Sequence, residues 1–177
     1  MNYLSEAPAD FRASEVTFAK MAAEHLESLV QIEALSFGAA AWTREGYERE
    51  IQCGFGCYDV ALWRGDVLGC AGGWFFYGEY EITNVVIAPG FRGLGVGERL
   101  FYRIIKARVD DGCEKSCLEV SCNNPVAQKM YARFGYEIVG RRKHYYANGD
   151  DAWRMALDDM QSPAYAERLK SIAARWQ

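Results

Sequence analysis

The sequence predicts an α/β fold: a mixed, mostly antiparallel sheet flanked by helices, with an extra helix at the carboxyl end. Three observations lead there. In the first half, short alternating segments follow one another across tight turns, as in an antiparallel meander. In the second half, apolar positions recur every three to five residues and then give way to short strand-like runs, so helices and strands alternate. Half of the 177 residues are apolar and 14% are aromatic, enough for one compact core.

Taken in order, Glu15 to Met21 alternates like a strand, and Leu26, Leu29, Val30, Glu33 and Phe37 then fall at helical spacing. Thr43 offers a cap for a second short helix ending near Cys53. Tyr58 to Trp63 and Val67 to Phe76 flank Arg64-Gly65-Asp66 as two arms of a hairpin, and a turn at Tyr77-Gly78-Glu79 leads into Tyr80 to Ile87. The period then changes. Val96, Leu100, Phe101, Ile104, Ile105 and Val109 mark a helix that Gly112 can end, its apolar stripe facing the sheet. Ser116 to Val120 has the pattern of a short buried strand, Pro125 suits the first position of a helix, and Gly135 follows that helix's last turn. Tyr136 to Arg142 and Asp151 to Leu157 complete the strands. This divides the chain into a domain of residues 1–157 and an extension of residues 158–177. In the extension, Ser162-Pro163 opens a helix with Tyr165, Leu169, Ile172 and Trp176 on one face. That face docks on the domain or on a second copy, so both a monomer and a homodimer are compatible with the sequence.

Twenty basic against twenty-four acidic residues give a net charge of −4, which supplies no electrostatic reason to bind nucleic acid or an anionic membrane. No apolar run approaches the ~20 residues of a spanning helix, and Met1 to Asp10 lacks the basic and then apolar pattern of a signal peptide, which predicts a cytoplasmic protein. Cys53, Cys57, Cys70, Cys113, Cys117 and Cys122 fit reduced thiols in a chain long enough to fold without staples. The pairs Cys53/Cys57 and Cys113/Cys117 are spaced too widely for a zinc knuckle and have no histidine close by, so no metal is expected.

The richest stretch runs from Val85, Val86 and Ile87 through Arg92, Gly93, Leu94, Gly95, Val96, Gly97 and Glu98 into Leu100. A strand passing through a glycine-rich turn into a helix aims backbone N–H groups and the helix's positive end at an anion, most often phosphate. The dinucleotide fingerprint fails, because Glu98 stands where its last glycine belongs; the P-loop fails for want of Gly-Lys-Ser/Thr. Arg92, Arg99, Arg103, Lys106 and Arg108 against Glu98 alone leave a local excess of four positive charges, which favours a polyphosphate ligand.

Arg92-x-x-Gly95-x-Gly97 after a strand ending Val-Ile-Ala-Pro resembles the acetyl-coenzyme A signature of the GNAT N-acetyltransferases. A second set of residues is more specific: Leu118-Glu119-Val120, then Asn123-Asn124-x-x-Ala127-x-x-x-Tyr131, then Phe134-Gly135-Tyr136. These, with Gly140-Arg141-Arg142, Tyr145-Tyr146 and Met155-Ala156-Leu157, are similar to the ribosomal-protein-alanine branch of that family, the RimI type. Ile32-Glu33-x-x-Ser36-Phe37 and Trp42-Thr43 resemble its substrate-side helices. Ala41 departs from the branch, standing where it has proline.

The resemblance implies the GNAT fold, an acetyl-CoA cosubstrate and no metal. It also implies roles. Backbone groups of Val85, Val86 and Ile87 would hold the pantetheine arm and polarise the thioester carbonyl. Amides from Gly93 to Glu98 would wrap the pyrophosphate beside Arg92, and Asn124 would bond the pantetheine arm. Glu119 would be the general base, with Glu81 its rival, and Tyr131 would serve the departing thiolate as acid and bind coenzyme. Glu33, Trp42, Tyr145 and Tyr146 would shape the slot for the amine. The implied acceptor is a protein N-terminus, by resemblance the alanine of a ribosomal protein; the alternative is a lysine side chain, polyamine or other small amine.

Overall fold

In the computed structural model, residues 6–176 are described. The strands are β1 (Thr17–Lys20), β2 (Gly56–Trp63), β3 (Asp66–Phe76), β4 (Glu79–Ile87), β5 (Lys115–Ser121), β6 (Glu137–Arg142) and β7 (Ala152–Leu157). The helices are α1 (Leu26–Phe37), α2 (Arg44–Gln52), α3 (Val96–Asp110), α4 (Pro125–Arg133) and α5 (Pro163–Ala173). One sheet orders the strands β1-β2-β3-β4-β5-β7-β6. Pairing is antiparallel for β1 with β2, β5 with β7 and β6 with β7, and parallel for β4 with β5, where Glu79 to Ile82 face Lys115 to Leu118. The predicted mixed, mostly antiparallel sheet is therefore present.

Local chemistry places the ends of these elements. Thr43 Oγ1 accepts from Gly46 N at 3.2 Å and opens α2, and Ser162 Oγ accepts from Tyr165 N at 3.2 Å and opens α5. Pro125 and Pro163 occupy the first turns, where a missing N–H leaves no hydrogen bond unmade. β1 is shorter than its sequence suggests, because a 3-10 turn over Ala13–Glu15 holds the start of the predicted strand.

By internal compactness the chain divides into two units, neither continuous in sequence: residues up to 73 with 84–104, and residues 74–83 with 105 onward. In the first, Leu26, Leu29, Ile32, Tyr47, Val60, Leu68, Phe91 and Leu100 form the core. Asp59 is buried there between Lys20 Nζ at 2.7 Å and Arg103 Nε at 3.0 Å, so a charge inside β2 is held by cations from β1 and α3. In the second unit, Tyr80, Ile105, Leu118, Val120, Phe134, Tyr136, Met155 and Leu157 are buried. The predicted apolar face of α5 is buried in the same unit through Tyr165, Leu169 and Ile172, while Trp176 lies half-buried in a closing 3-10 turn. Arg168 Nη1 donates to Arg133 O at 3.2 Å, and Gln161 Nε2 donates to Val109 O and Cys113 O at 2.9 and 2.8 Å, tying the tail down.

Candidate active site

In the first unit, β4 ends at Ile87 and the chain turns through Pro89–Phe91 into the glycine loop. Gly93 and Gly95 sit at φ +74° and +85°, where a Cβ strains the backbone, and the space beside each is open. Arg99 N is bonded to Gly95 O at 3.1 Å. A helix leaves its first amides without intrahelical partners, so the start of α3 presents donors to an anion. Arg92 braces this loop: Nε donates to Ile87 O at 2.9 Å and Nη2 to Ser36 Oγ at 2.6 Å. The Ile87 carbonyl, one of the backbone groups expected to meet coenzyme, is thus already engaged. Val85 is half-buried, Val86 and Ile87 are buried, and Leu94 is exposed. A Cβ on Gly69 of β3 would sit 2.1 Å from Val86 O, so a glycine there lets β3 reach the end of β4.

The expected basic face of α3 is largely neutralised. Arg103 pairs with Asp59, Lys106 with Asp110 one turn on, and Arg108 with Asp111 at 2.6 Å. The local excess of four counted in sequence overstates the free charge, because it omitted partners lying just beyond the counted stretch and in β2.

Glu33 is buried and fully engaged. Its Oε1 accepts from Tyr47 Oη at 2.8 Å and from Asn84 Nδ2 at 2.6 Å, and its Oε2 accepts from Trp42 N at 3.2 Å. Tyr47 Oη also lies 3.4 Å from Cys70 Sγ. Burial pushes the Tyr47 phenol far above its ordinary range and the Cys70 thiol up to about 12. Glu33 thus holds the backbone of Trp42, whose ring packs 5.3 Å from Tyr47 and 6.1 Å from Tyr58. Tyr47, Asn84 and Cys70 were missed in the sequence, where nothing local links them to Glu33.

In the second unit, β5 alternates strictly: Ser116, Leu118 and Val120 are buried, while Cys117, Glu119 and Ser121 share the other face. Glu119 thus points away from Leu118 and Val120, its neighbours in sequence. Its side chain is 8% exposed, with Oε1 3.2 Å from Arg142 Nη2 of β6 and 3.7 Å from Arg154 Nη1 of β7. Arg154 stands directly opposite Glu119 in the ladder. Arg154, missed in sequence, gives the same signal as Glu119: a charge inside a short apolar strand. Glu81, the rival base, is exposed on β4 opposite Cys117.

Tyr146 Oη approaches Glu119 O at 3.5 Å, and the rings of Tyr145 and Tyr146 meet edge to face at 5.1 Å. Burial, then Tyr145 and Glu119, push the Tyr146 phenol up to about 12. Tyr131 is buried on α4, and burial followed by the neighbouring Tyr146 raises its phenol above the ordinary range. Asn124 caps α4, its Oδ1 accepting from Ala127 N at 3.1 Å, and its side chain is exposed. Among the described residues no group of three or more His, Cys, Asp or Glu could hold a metal ion, and no helix is long and apolar enough to cross a membrane.

The arrangement offers a helix N-terminus whose first amides can face an anion and, in the second unit, a nearly buried carboxylate set between two guanidinium groups. The family model for the acetyltransferase (GNAT) family matches residues 26–136. The chain is 34% identical over 134 residues to a Bacillus subtilis protein provisionally named as a ribosomal protein bS18-alanine N-acetyltransferase, covering 75% of this chain and 88% of that one. It is 28% identical over 149 residues to the N-alpha-acetyltransferase RimI of Mycobacterium tuberculosis, covering 81% and 92%. The Escherichia coli ribosomal-protein-S18-alanine N-acetyltransferase structure superposes with a TM-score of 0.75 at 22% identity, covering 81% of this chain and 94% of that one, a likeness of fold.

Proposed function

Since this chain belongs to the acetyltransferase (GNAT) family and is an N-acetyltransferase, we propose that it transfers acetyl from acetyl-CoA to the α-amino group of a protein's first residue, with a ribosomal protein beginning in alanine as the expected acceptor. The observation that supports this most is Glu119 in mid-β5, its side chain 8% exposed, in a chain similar over three quarters of its length to a protein named for that reaction.

The glycine loop and the start of α3 receive the pyrophosphate, with Gly93 and Gly95 giving the loop the backbone conformation it needs. The exposed Asn124 amide is available to the pantetheine arm. The amine nitrogen attacks the thioester carbonyl carbon, forming the C–N bond. The carbon–sulfur bond then breaks, and the proton leaving nitrogen passes to Glu119. An α-amine near pKa ~8 gives up a proton more readily than lysine near ~10.4, which suits a carboxylate base. Tyr131 hydrogen-bonds the departing sulfur. Its raised phenol holds its proton more tightly than an ordinary thiol near ~8.5, so it stabilises the thiolate, which takes a proton from water as Glu119 returns the amine's proton to water.

Thiol release from acetyl-CoA tests this with three acceptors: a peptide with a free N-terminal alanine, the same peptide blocked at its amine but carrying lysine, and spermidine. Turnover is expected on the first alone; turnover confined to lysine or spermidine would overturn the N-terminal reading. Glu119→Gln should lower kcat by roughly 10²-fold or more while leaving acetyl-CoA binding intact. Unchanged turnover would transfer the base to Glu81.

A further inference from the structure

Beside Glu119 lie two guanidinium groups whose hydrogen-bonding capacity is almost unused. Arg142 and Arg154 both approach the same oxygen, Oε1, yet that buried atom receives no aligned hydrogen bond. Arg154 Nη2 makes one weak contact, to Cys117 Sγ at 3.7 Å, and Arg142 lies over the Tyr145 ring at 5.6 Å. A guanidinium carries five donors in a planar fork made for a carboxylate. The two side chains are 47% and 42% exposed, so those donors face outward. Their neighbour Arg141 differs, being neutralised by Asp151.

The charges here explain what the pair is suited to hold. Two cations share one nearly buried carboxylate, while Glu79 and Glu81 of β4 and Glu137 of β6 are exposed acids on the same face of the sheet. An acceptor ammonium arriving at Glu119 competes with both arginines for that carboxylate. Displaced guanidinium groups then need another anion, and an acceptor carrying a carboxylate a residue or two behind its amine brings one. We propose that Arg142 and Arg154 form an anion-accepting subsite for an acidic side chain close behind the free amino group. This rests on the N-terminal acetylation reading and adds the charge of the acceptor to it.

Three peptides beginning Ala-Asp, Ala-Gln and Ala-Lys, otherwise identical, test the subsite through kcat/KM. The wild type should favour Ala-Asp over Ala-Gln by roughly fivefold, the scale of a half-exposed ion pair, and disfavour Ala-Lys. High salt should shrink the spread. Arg142→Gln and Arg154→Gln should each flatten it, while Arg142→Lys and Arg154→Lys, which keep the charge, should retain much of it and show that flattening is not a folding defect. A wild type indifferent to the second residue would overturn the subsite, as would a preference surviving in both glutamine variants. Failure of the underlying reading looks different: no peptide is turned over, while lysine or spermidine is.

Discussion

At the scale of single residues, the same burial that shapes the site silences part of the thiol chemistry. Burial lifts Cys70 to about 12 and Cys113 to about 11. At pH 8 such groups are thiolate in roughly one molecule in a thousand or fewer. An aromatic disulfide reagent should therefore leave both unlabelled in the folded protein and reach them only in denaturant, whereas the half-exposed Cys53, Cys57 and Cys122 react directly. Prompt labelling of all six would contradict that burial. Glu119 was singled out in the sequence through the family resemblance; as a charge inside a short apolar strand it also carries a local signal, and Arg154, opposite it, carries the same one. The Glu33 network was not legible, since Tyr47 and Asn84 stand 14 and 51 residues away and meet it only through packing.

At the scale of elements, turns and periodicity specified most boundaries: Gly112 and Gly135 do lie at positive φ past α3 and α4. What local pattern misjudged was charge along α3. Asp110 and Asp111 lie within reach of i,i+4 and i,i+3 pairing, so that neutralisation was available to a longer count. Asp59, 44 residues before Arg103, was not. With less free charge on the helix, the backbone of the glycine loop takes the greater share of anion binding. Gly95→Ala should accordingly raise KM for acetyl-CoA severalfold, because a left-handed alanine costs about 1 kcal/mol and shifts the amides that follow. Steady-state kinetics against acetyl-CoA, paired with a thermal melt, measure this; an unaltered KM in a folded variant would remove the loop from coenzyme binding.

At the scale of the whole molecule, α5 behaves as part of the second unit's core. Its three buried side chains, at roughly 1.5–3 kcal/mol each, amount to a large share of an ordinary domain's stability. Removing residues 163–177 should lower the thermal midpoint by more than about 10 °C, measured alongside molecular mass by light scattering. A truncated chain that melts unchanged would show that the helix stabilises nothing. The discontinuity of the first unit has a further consequence, for the order in which the protein comes into being. During synthesis the chain emerges from its amino end. The part of the first unit before residue 74 is followed by residues 74–83 of the second before residues 84–104 complete it. That late segment holds Val85 to Ile87 and the glycine loop, so the last piece of the first unit to be made is the very stretch proposed to grip the coenzyme's pyrophosphate.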